Sequence, residues 1–382
     1  MNVTLTRTGG THVDAVLTPG TLDHPLVRDC PHLYCGPRWL RVEEQAHPGD
    51  AFYTWARTGD STAFAPAYGF DRTSNPWPFA RPDLFLADVT GTGEGHEALL
   101  PAFTVGGRRP GRSKFCTAGS VRQRARTLTL LLEAAAEGAV VRGAACLAAL
   151  YCPPGDADLV AAFRAHGGVR FPSHGANILG LPGDGLSDWM ASLPRKQRAK
   201  EKADLRKLDG AGVEFTVSPL REPDIDRIVP LELGLYDKYG HAYAREEAVA
   251  LHRAYLDHLG DDALLVRARR DGADLGFVSL VRHGPRLHVR QAGFHPQAGD
   301  SGPVYFGAAL HEPVRWAYAH GVRHLDLSVG SDAVKRRRGA RTHPRDAWFV
   351  PLTEAARRHL RHLTERAGED PAPTPATAKA TT

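Results

Sequence analysis

Between Arg286 and Gly339 the hydrophobic pattern switches period repeatedly. Arg286–Phe294 (RLHVRQAGF) alternates at period two and reads as a half-buried strand. His295–Pro303 (HPQAGDSGP) is turn chemistry. Val304–His320 carries its apolar residues mostly on one side at helical spacing, with Gly321 as the expected stop and Pro313 expected to bend it. Val322–Val329 alternates again as a strand, and Gly330-Ser331-Asp332 leads into the basic turn Val334–Gly339. The order strand, loop, helix, strand is that of an α/β unit.

The same order occurs earlier. Asp83–Val89 and Ala98–Val105 read as strands, Arg108–Ser113 as a Gly-rich basic loop, Thr127–Gly138 as a helix and Ala144–Cys152 as a buried strand. This suggests two copies of one α/β unit without measurable identity between them. A length of 382 residues suits two domains. Phe171–Asp188, dense in Gly, Pro and Ser, is the expected boundary. Around these units the pattern predicts a hairpin over Ala51–Ala67, helices over Asp156–His166, Glu222–Lys238 and Arg245–Leu259, and a hairpin around Asp271-Gly272. Tyr34, Trp39 and Leu40 open a further helix, Tyr68–Pro82 is an aromatic, Pro-rich loop, and a last helix runs from Thr353 to about Arg366. The Pro/Ala/Thr-rich tail 367–382 cannot bury enough apolar surface to order itself.

One helix is unusual in charge. Leu193–Asp209 (LPRKQRAKEKADLRKLD), with Ser192 as N-cap and Pro194 in the first turn, crowds Arg195, Lys196, Arg198, Lys200, Lys202, Arg206 and Lys207 around a thin apolar stripe of Leu193, Ala199, Ala203 and Leu208. Only Glu201 and Asp204 oppose them before Asp209. A solvated face and a polyanion-binding face look alike at this level. Further basic clusters fall at Arg108–Arg126 and Lys335–Arg345, including Arg336 and Arg337.

Several of these features resemble the Fem-like acyltransferases, a branch of the GNAT superfamily that includes aminoacyl-tRNA-dependent peptidyltransferases and related acetyltransferases. The resemblance rests on the helix ending Ala-His-Gly at 319–321, the strand with Asp326, Gly330, and Lys335 four residues before Gly339. It also rests on the basic helix opened by Leu193-Pro194 and on the aromatic-Trp-Leu segment near Tyr34. It covers about residues 30–350 and implies an α/β (α+β) fold of two tandem GNAT-like domains, each a mixed, mostly antiparallel sheet flanked by helices. The corresponding bounds are 1–180, 181–366 and a disordered tail 367–382. The resemblance also implies that Lys335 lies near the transferred acyl group.

Composition narrows the class. Hydrophobic content of 42% with 24% charged residues is that of a globular chain with a sizeable core, and no apolar run is long enough to span a membrane. The N-terminus shows no signal-peptide pattern, so a cytoplasmic protein is expected. Five cysteines without paired metal-site spacing are expected to be reduced thiols, and no metal site is expected. The net charge of +5 is modest, and its clustering matters more than its sum. There is no Walker loop, GxSxG, HExxH or Rossmann fingerprint, which removes most hydrolase, kinase and dehydrogenase readings.

What remains is a transferase that needs no nucleophile of its own; the resemblance implies N-acyl transfer, which needs an activated acyl donor, an unprotonated amine and a group to stabilise the oxyanion. Lys335 is expected as oxyanion or phosphate partner, with Asp326 as an orienter or weak base. Tyr236, Lys238 and Tyr239, from an aromatic and polar stretch, and His288 and Arg290, on one face of their strand, are the substrate-binding candidates. Arg195, Lys196, Arg198, Lys202, Arg336 and Arg337 are candidates for tRNA or phosphate. No tightly bound cofactor is expected. The co-substrate is expected to be aminoacyl-tRNA, which the basic clusters would meet. Acetyl-CoA is the alternative, with pyrophosphate-loop matches at Arg108–Ser113 and Gln297–Gly302. A non-catalytic nucleic-acid-binding protein on a GNAT scaffold is a third reading. The acceptor is a peptide or small-molecule amine, such as a cell-wall precursor or natural-product intermediate, and nothing in the sequence sets the oligomeric state.

Overall fold

The computed structural model describes residues 3–7, 11–16, 22, 24–74, 77–92, 96–296 and 302–369. The tail at 370–382 and most of the Gln297–Gly302 loop lie outside the described residues. The chain groups into two compact units. One holds the described residues up to Leu40, His47–Gly175 and those from Pro344 onward; the other holds Arg41–Ala46 and Ala176–His343. Among the described residues no helix is long and apolar enough to cross a membrane.

The first unit contains β1 (Val3–Arg7), β2 (Thr11–Val16), α1 (Pro25–Arg28), the start of α2 (Pro37–Ala46), β3 (Ala51–Thr58) and β4 (Ser61–Phe70). There follow α3 (Pro82–Thr90), β5 (Ala102–Val105), β6 (Cys116–Ala118), α4 (Val121–Val141), β7 (Cys146–Cys152), α5 (Ala157–Ala165) and the start of β8 (Val169–Gly180). Its sheet runs β1-β2-β3-β4-β5-β7 and is antiparallel except where β5 lies parallel to β7, with β6 on β4. Helix α4 makes the crossover between the parallel pair and lays Leu128, Leu131 and Leu132 on Phe52 and Leu147.

The second unit takes the chain from β8 through α6 (Leu186–Ser192), α7 (Arg195–Gly210), β9 (Glu214–Pro219), α8 (Glu222–Lys238) and α9 (Arg245–Leu259). Then come β10 (Ala263–Arg270), β11 (Ala273–His283), β12 (Arg286–Phe294), α10 (Pro303–Phe306), α11 (Glu312–Ala319), β13 (His324–Asp326) and α12 (Asp332–Arg337). The chain closes with β14 (Arg341–Pro351), which pairs with β7 through residues 346–351, and α13 (Glu354–Glu369). The strands of the second unit run in the order β8-β13-β12-β11-β10-β9, again antiparallel except for one parallel pair, β12 with β13. Its core gathers Val266, Val278, Leu280, Leu287, Leu310, Val314 and Leu325, each side chain contributing about 1.5–3 kcal/mol by burial. Each unit is therefore a mixed, mostly antiparallel sheet with one helix-bridged parallel pair, the repeat expected from the sequence.

Several local expectations change. Asp83–Val89 is helix α3, not a strand: Pro82 presets its first turn and Gly91, at φ 66°, ends it in the left-handed conformation. Strand β14 was not anticipated, because Pro344 and the charges of Arg341–Asp346 hide a run whose Trp348 stacks on Phe163 at 5.4 Å. The segment 171–188 forms most of strand β8 and the start of α6 rather than a loop, and the division between the two units falls within it, after Gly175. Ser192 does not cap α7: Pro194 occupies the N-cap, and Ser192 Oγ donates to the Trp189 carbonyl of α6 at 2.6 Å. The buried stripe of α7 is Gln197, Glu201, Asp204 and Leu208, while Ala199 is exposed. Pro313, lacking an N–H for the i−4 carbonyl, is accommodated by a π-helical segment, Gly307–His311, immediately before α11.

The turn Asp271-Gly272 has φ of 49° and 80°, the two positive values of a tight hairpin turn. At Gly293 the backbone of α8 crosses β12 so closely that a Cβ would lie 2.4 Å from the Leu231 carbonyl carbon. Gly293→Ala is accordingly expected to destabilise the protein by roughly 1–3 kcal/mol, read as a fall in the urea midpoint with an unchanged slope.

Candidate functional site

β12 and β13 pair at only three positions, Arg286 with His324, Leu287 with Leu325 and His288 with Asp326. Beyond His288 strand β12 continues to Phe294 while β13 ends, so the two strands part at the His288/Asp326 pair. Both strands are irregular next to this parting. On β12, Ser279 of β11 faces two residues, Arg290 and Gln291, because the register jumps from Val278–Ala292 to Leu280–Val289. The Ser279 hydroxyl fills that bulge: it accepts from the Gln291 N–H at 2.9 Å and donates to Gln291 Oε1 at 3.1 Å, and Tyr255 donates to the same Oε1 at 3.0 Å. After β13, Leu327 and Ser328 together face Asn177, whose carbonyl accepts from Leu327 and whose N–H donates to Ser328, both at 2.9 Å. Bulges re-aim side chains and concentrate beside active sites.

The loop after β13 is held in an unusual backbone. Ser328 and Ser331 have φ of 60° and 50°, a region costly for residues with a Cβ and maintained only where the surroundings impose it. Here they do. The Lys335 ammonium donates to the carbonyls of Leu327 at 2.6 Å and Val329 at 2.7 Å. The buried Asn177 amide donates to Asp332 at 2.9 Å and accepts from Thr342 at 2.8 Å. Burial draws the Lys335 pKa down to about 8, against the opposing pull of Asp332 and Asp326. Asp326 accepts from the Ser328 N–H at 3.0 Å through Oδ1, and its Oδ2 lies 3.4 Å from His288 Nδ1. Both side chains are buried, at 5% and 4% relative exposure, so the carboxylate and the imidazole face each other in a low-dielectric setting.

Of the residues singled out in the sequence, His288, Asp326 and Lys335 thus converge on the parting strands, with Arg290 in the adjacent bulge. The even face expected for His288 and Arg290 is interrupted there, since an extra residue shifts every later side chain. Tyr236 stacks on Tyr243 at 4.3 Å within a small cluster containing Ile225, Val229 and Ala248, while Lys238 and Tyr239 are exposed at the end of α8. On α7, Arg195, Lys196 and Lys202 are exposed, as are Lys200, Arg206 and Lys207; Arg198 is half-buried and donates to the Ala191 carbonyl at 2.9 Å. Arg336 and Arg337 are exposed on α12.

Helix α12 links these cations to the parting strands. Three residues after Lys335, the buried Arg338 packs its guanidinium 3.5 Å over the Phe306 ring and lies 3.4 Å from Glu201 of α7. Glu201 is wholly buried, takes a hydrogen bond from Gln197 and lies 2.7 Å from Nε2 of His311 in the π segment. Burial alone would raise its pKa, but the His311 hydrogen bond and the Arg338 charge hold it below the usual value. Sequence reading treated Glu201 as a surface counter-charge, and no local signal in a Lys/Arg-rich helix marks it otherwise. Asn177, Ser279 and Gln291 were also missed, because their roles depend on strand registers that a single sequence does not display.

The equivalent parting in the first unit is closed. Where β5 leaves β7, Ser113 takes up the edge: its N–H donates to the Tyr151 carbonyl at 3.1 Å and its hydroxyl accepts from the Tyr151 N–H at 3.2 Å. Arg108 is buried, paired with Asp50 at 3.0 Å, and lies 4.6 Å over Phe70. A Cβ on Gly107 would come within 2.8 Å of the Arg112 carbonyl oxygen, so the loop folds on itself. The alternative pyrophosphate loop at Arg108–Ser113 thus has its Arg108 and part of its backbone already engaged.

Residues 195–336 match the family model described as an acetyltransferase (GNAT) domain. No curated protein matches the chain. Among solved structures, the chain is similar to FemX, with a TM-score of 0.54 and 12% identity over 88% of this chain and 96% of that one. It is also similar to the C-terminal domain of a putative lysylphosphatidylglycerol synthetase from Agrobacterium fabrum, at 0.49 and 12% over 91% and 95% of the two chains. A tandem GNAT protein from the clavulanic acid biosynthesis pathway gives 0.49 and 17% over 83% and 94%.

Proposed function

We propose that this chain, a GNAT acyltransferase by the domain at residues 195–336, carries an aminoacyl group from aminoacyl-tRNA to the amine of a peptide or small-molecule acceptor at the parting of β12 and β13. The observation that carries the donor is the surface of α7. Its buried stripe is mostly polar, and Arg195, Lys196, Lys200, Lys202, Arg206 and Lys207 are all exposed around the remaining circumference. Like charges four residues apart, such as Lys196 with Lys200, oppose helix formation by about 0.2–0.5 kcal/mol per pair. A polyphosphate lying along the helix offsets that cost.

In this reading the acceptor amine attacks the ester carbonyl, the C–N bond forms as the C–O bond to the tRNA ribose breaks, and the amine proton ends on that ribose oxygen. His288 is placed to take and return the proton, with Asp326 orienting its ring and stabilising the imidazolium. The barrier to forming the tetrahedral oxyanion in such a site falls chiefly through preorganised dipoles. Lys335 sets those dipoles by fixing the loop 327–331, and Arg290 stands at the bulge beside them. Tyr236, Lys238 and Tyr239 are candidates for the acceptor, and Arg336 and Arg337 extend the cationic surface. No tightly bound cofactor is required.

Replacing Arg195, Arg198 and Lys202 together by Gln is expected to weaken tRNA binding. It should also flatten the dependence of log K on log salt by up to roughly three counterions. An unchanged slope would overturn the tRNA reading. The family model's description favours a second donor, acyl-CoA. Turnover of acetyl-CoA that the triple variant leaves untouched, with no ester of tRNA consumed, would establish it instead.

A further inference from the structure

The first unit contains three thiols in mutual reach that acyl transfer does not use. Cys30, just after α1, places its sulfur 3.2 Å from that of Cys116 on β6. Cys35 lies in the same buried cluster, and its Sγ donates to the Lys114 carbonyl oxygen at 3.5 Å. Cys35 and Cys116 are buried among Leu40, Tyr53, Trp55 and Phe64, whereas Cys30 is only half-buried and gives the cluster its access to solvent. The remaining cysteines, Cys146 and Cys152, are buried within β7.

We propose that Cys30 and Cys116 form an oxidisable pair that hydrogen peroxide converts into a disulfide, with Cys35 as a third thiol able to exchange into it. The two sulfurs already touch, and closing to a bond needs about 1 Å of movement, given an S–S length of roughly 2.05 Å. Oxidisable sensor thiols combine thiolate character, solvent access and a neighbouring resolving thiol. Hydrogen bonds from Cys116 and then Cys35 hold the Cys30 thiol well below its ordinary pKa, while burial pushes Cys146 and Cys152 well above theirs. The Cys30 thiolate attacks the peroxide, gains one oxygen to become a sulfenic acid, and releases hydroxide, which takes up a proton. The Cys116 thiol then displaces the sulfenic hydroxyl as water, so two thiols and one peroxide yield one disulfide and two waters.

The full-length protein is treated with one equivalent of hydrogen peroxide, denatured, alkylated and mapped without reduction. The expected result is a fall from five alkylatable cysteines to three and a Cys30–Cys116 cross-linked peptide that a dithiol removes. Under the same dose, C30S is expected to keep its remaining cysteines alkylatable. C116S is expected to give either a dimedone-trapped Cys30 sulfenic acid or a Cys30–Cys35 disulfide. Retention of all five thiols in the wild-type protein would overturn the proposal. So would cross-linking or oxidation at Cys146 or Cys152 as fast as at Cys30, and the wild-type measurement stands even where a variant misfolds.

Discussion

Lys335→Ala is expected to lower turnover about a hundredfold with the fold intact, because a misplacement of about 1 Å in a catalytic site is enough to cost that much. The side chain is a post under the loop: it holds the Leu327 and Val329 carbonyls, and between them Ser328 keeps a positive φ that it would not adopt unaided. Ser328 in turn donates to Asp326, which faces His288, so losing the ammonium relaxes the carboxylate that faces the imidazole. Steady-state kinetics of the variant with its true donor, alongside circular dichroism and a thermal melt, makes the comparison. Turnover within a few-fold of wild type would reduce Lys335 to a local support without consequence for the reaction.

The second large effect is on stability. Glu201→Ala removes a wholly buried carboxylate and leaves Arg338, His311 and Gln197 facing a void. Breaking a buried ion pair from one side typically costs about 3–5 kcal/mol, which for a protein of this size is a fall in Tm of about 4–6 °C. Glu201→Gln keeps the shape and part of the hydrogen bonding and is expected to cost less. The pH dependence has a definite sign. The folded Glu201 pKa lies below its ordinary value of 4.5, so its contribution is complete above that value and is lost as pH falls through the folded pKa. The wild-type melt should therefore lose more than the Glu201→Gln melt between neutral pH and pH values under 4.5. Parallel curves would show that the carboxylate charge contributes nothing.

Most strands of the two α/β units and the helices between them were legible because they rest on period. Apolar alternation around Leu287 and Leu325, helical spacing through Leu310 and Val314, and glycines at Gly321 and Gly330 with φ of 68° and 74° all act within a few residues. For the same reason Asp326 and Lys335 were candidates: Asp326 ends strand β13 and Lys335 follows it closely in sequence, and resemblance to a family fixes such short spacings. Ambiguity began where a short apolar run satisfies two patterns at once. Asp83–Val89 reads as a strand until Pro82 and Gly91 are given their helix-bounding roles.

Sequence by itself determined the class of fold, the repeat of an α/β unit, the positions of most elements, and the cations of α7, because propensity, periodicity and charge are properties of neighbours along the chain. Tertiary structure alone decided which of the two partings is open, that Ser113 closes one while bulges at Arg290–Gln291 and Leu327–Ser328 flank the other, and that Glu201 is a buried partner of His311 and Arg338. It also decided that Cys30, Cys35 and Cys116 meet. Each of these depends on the register between strands or on contacts between residues far apart in sequence, and a single residue of register reverses the face of every side chain that follows.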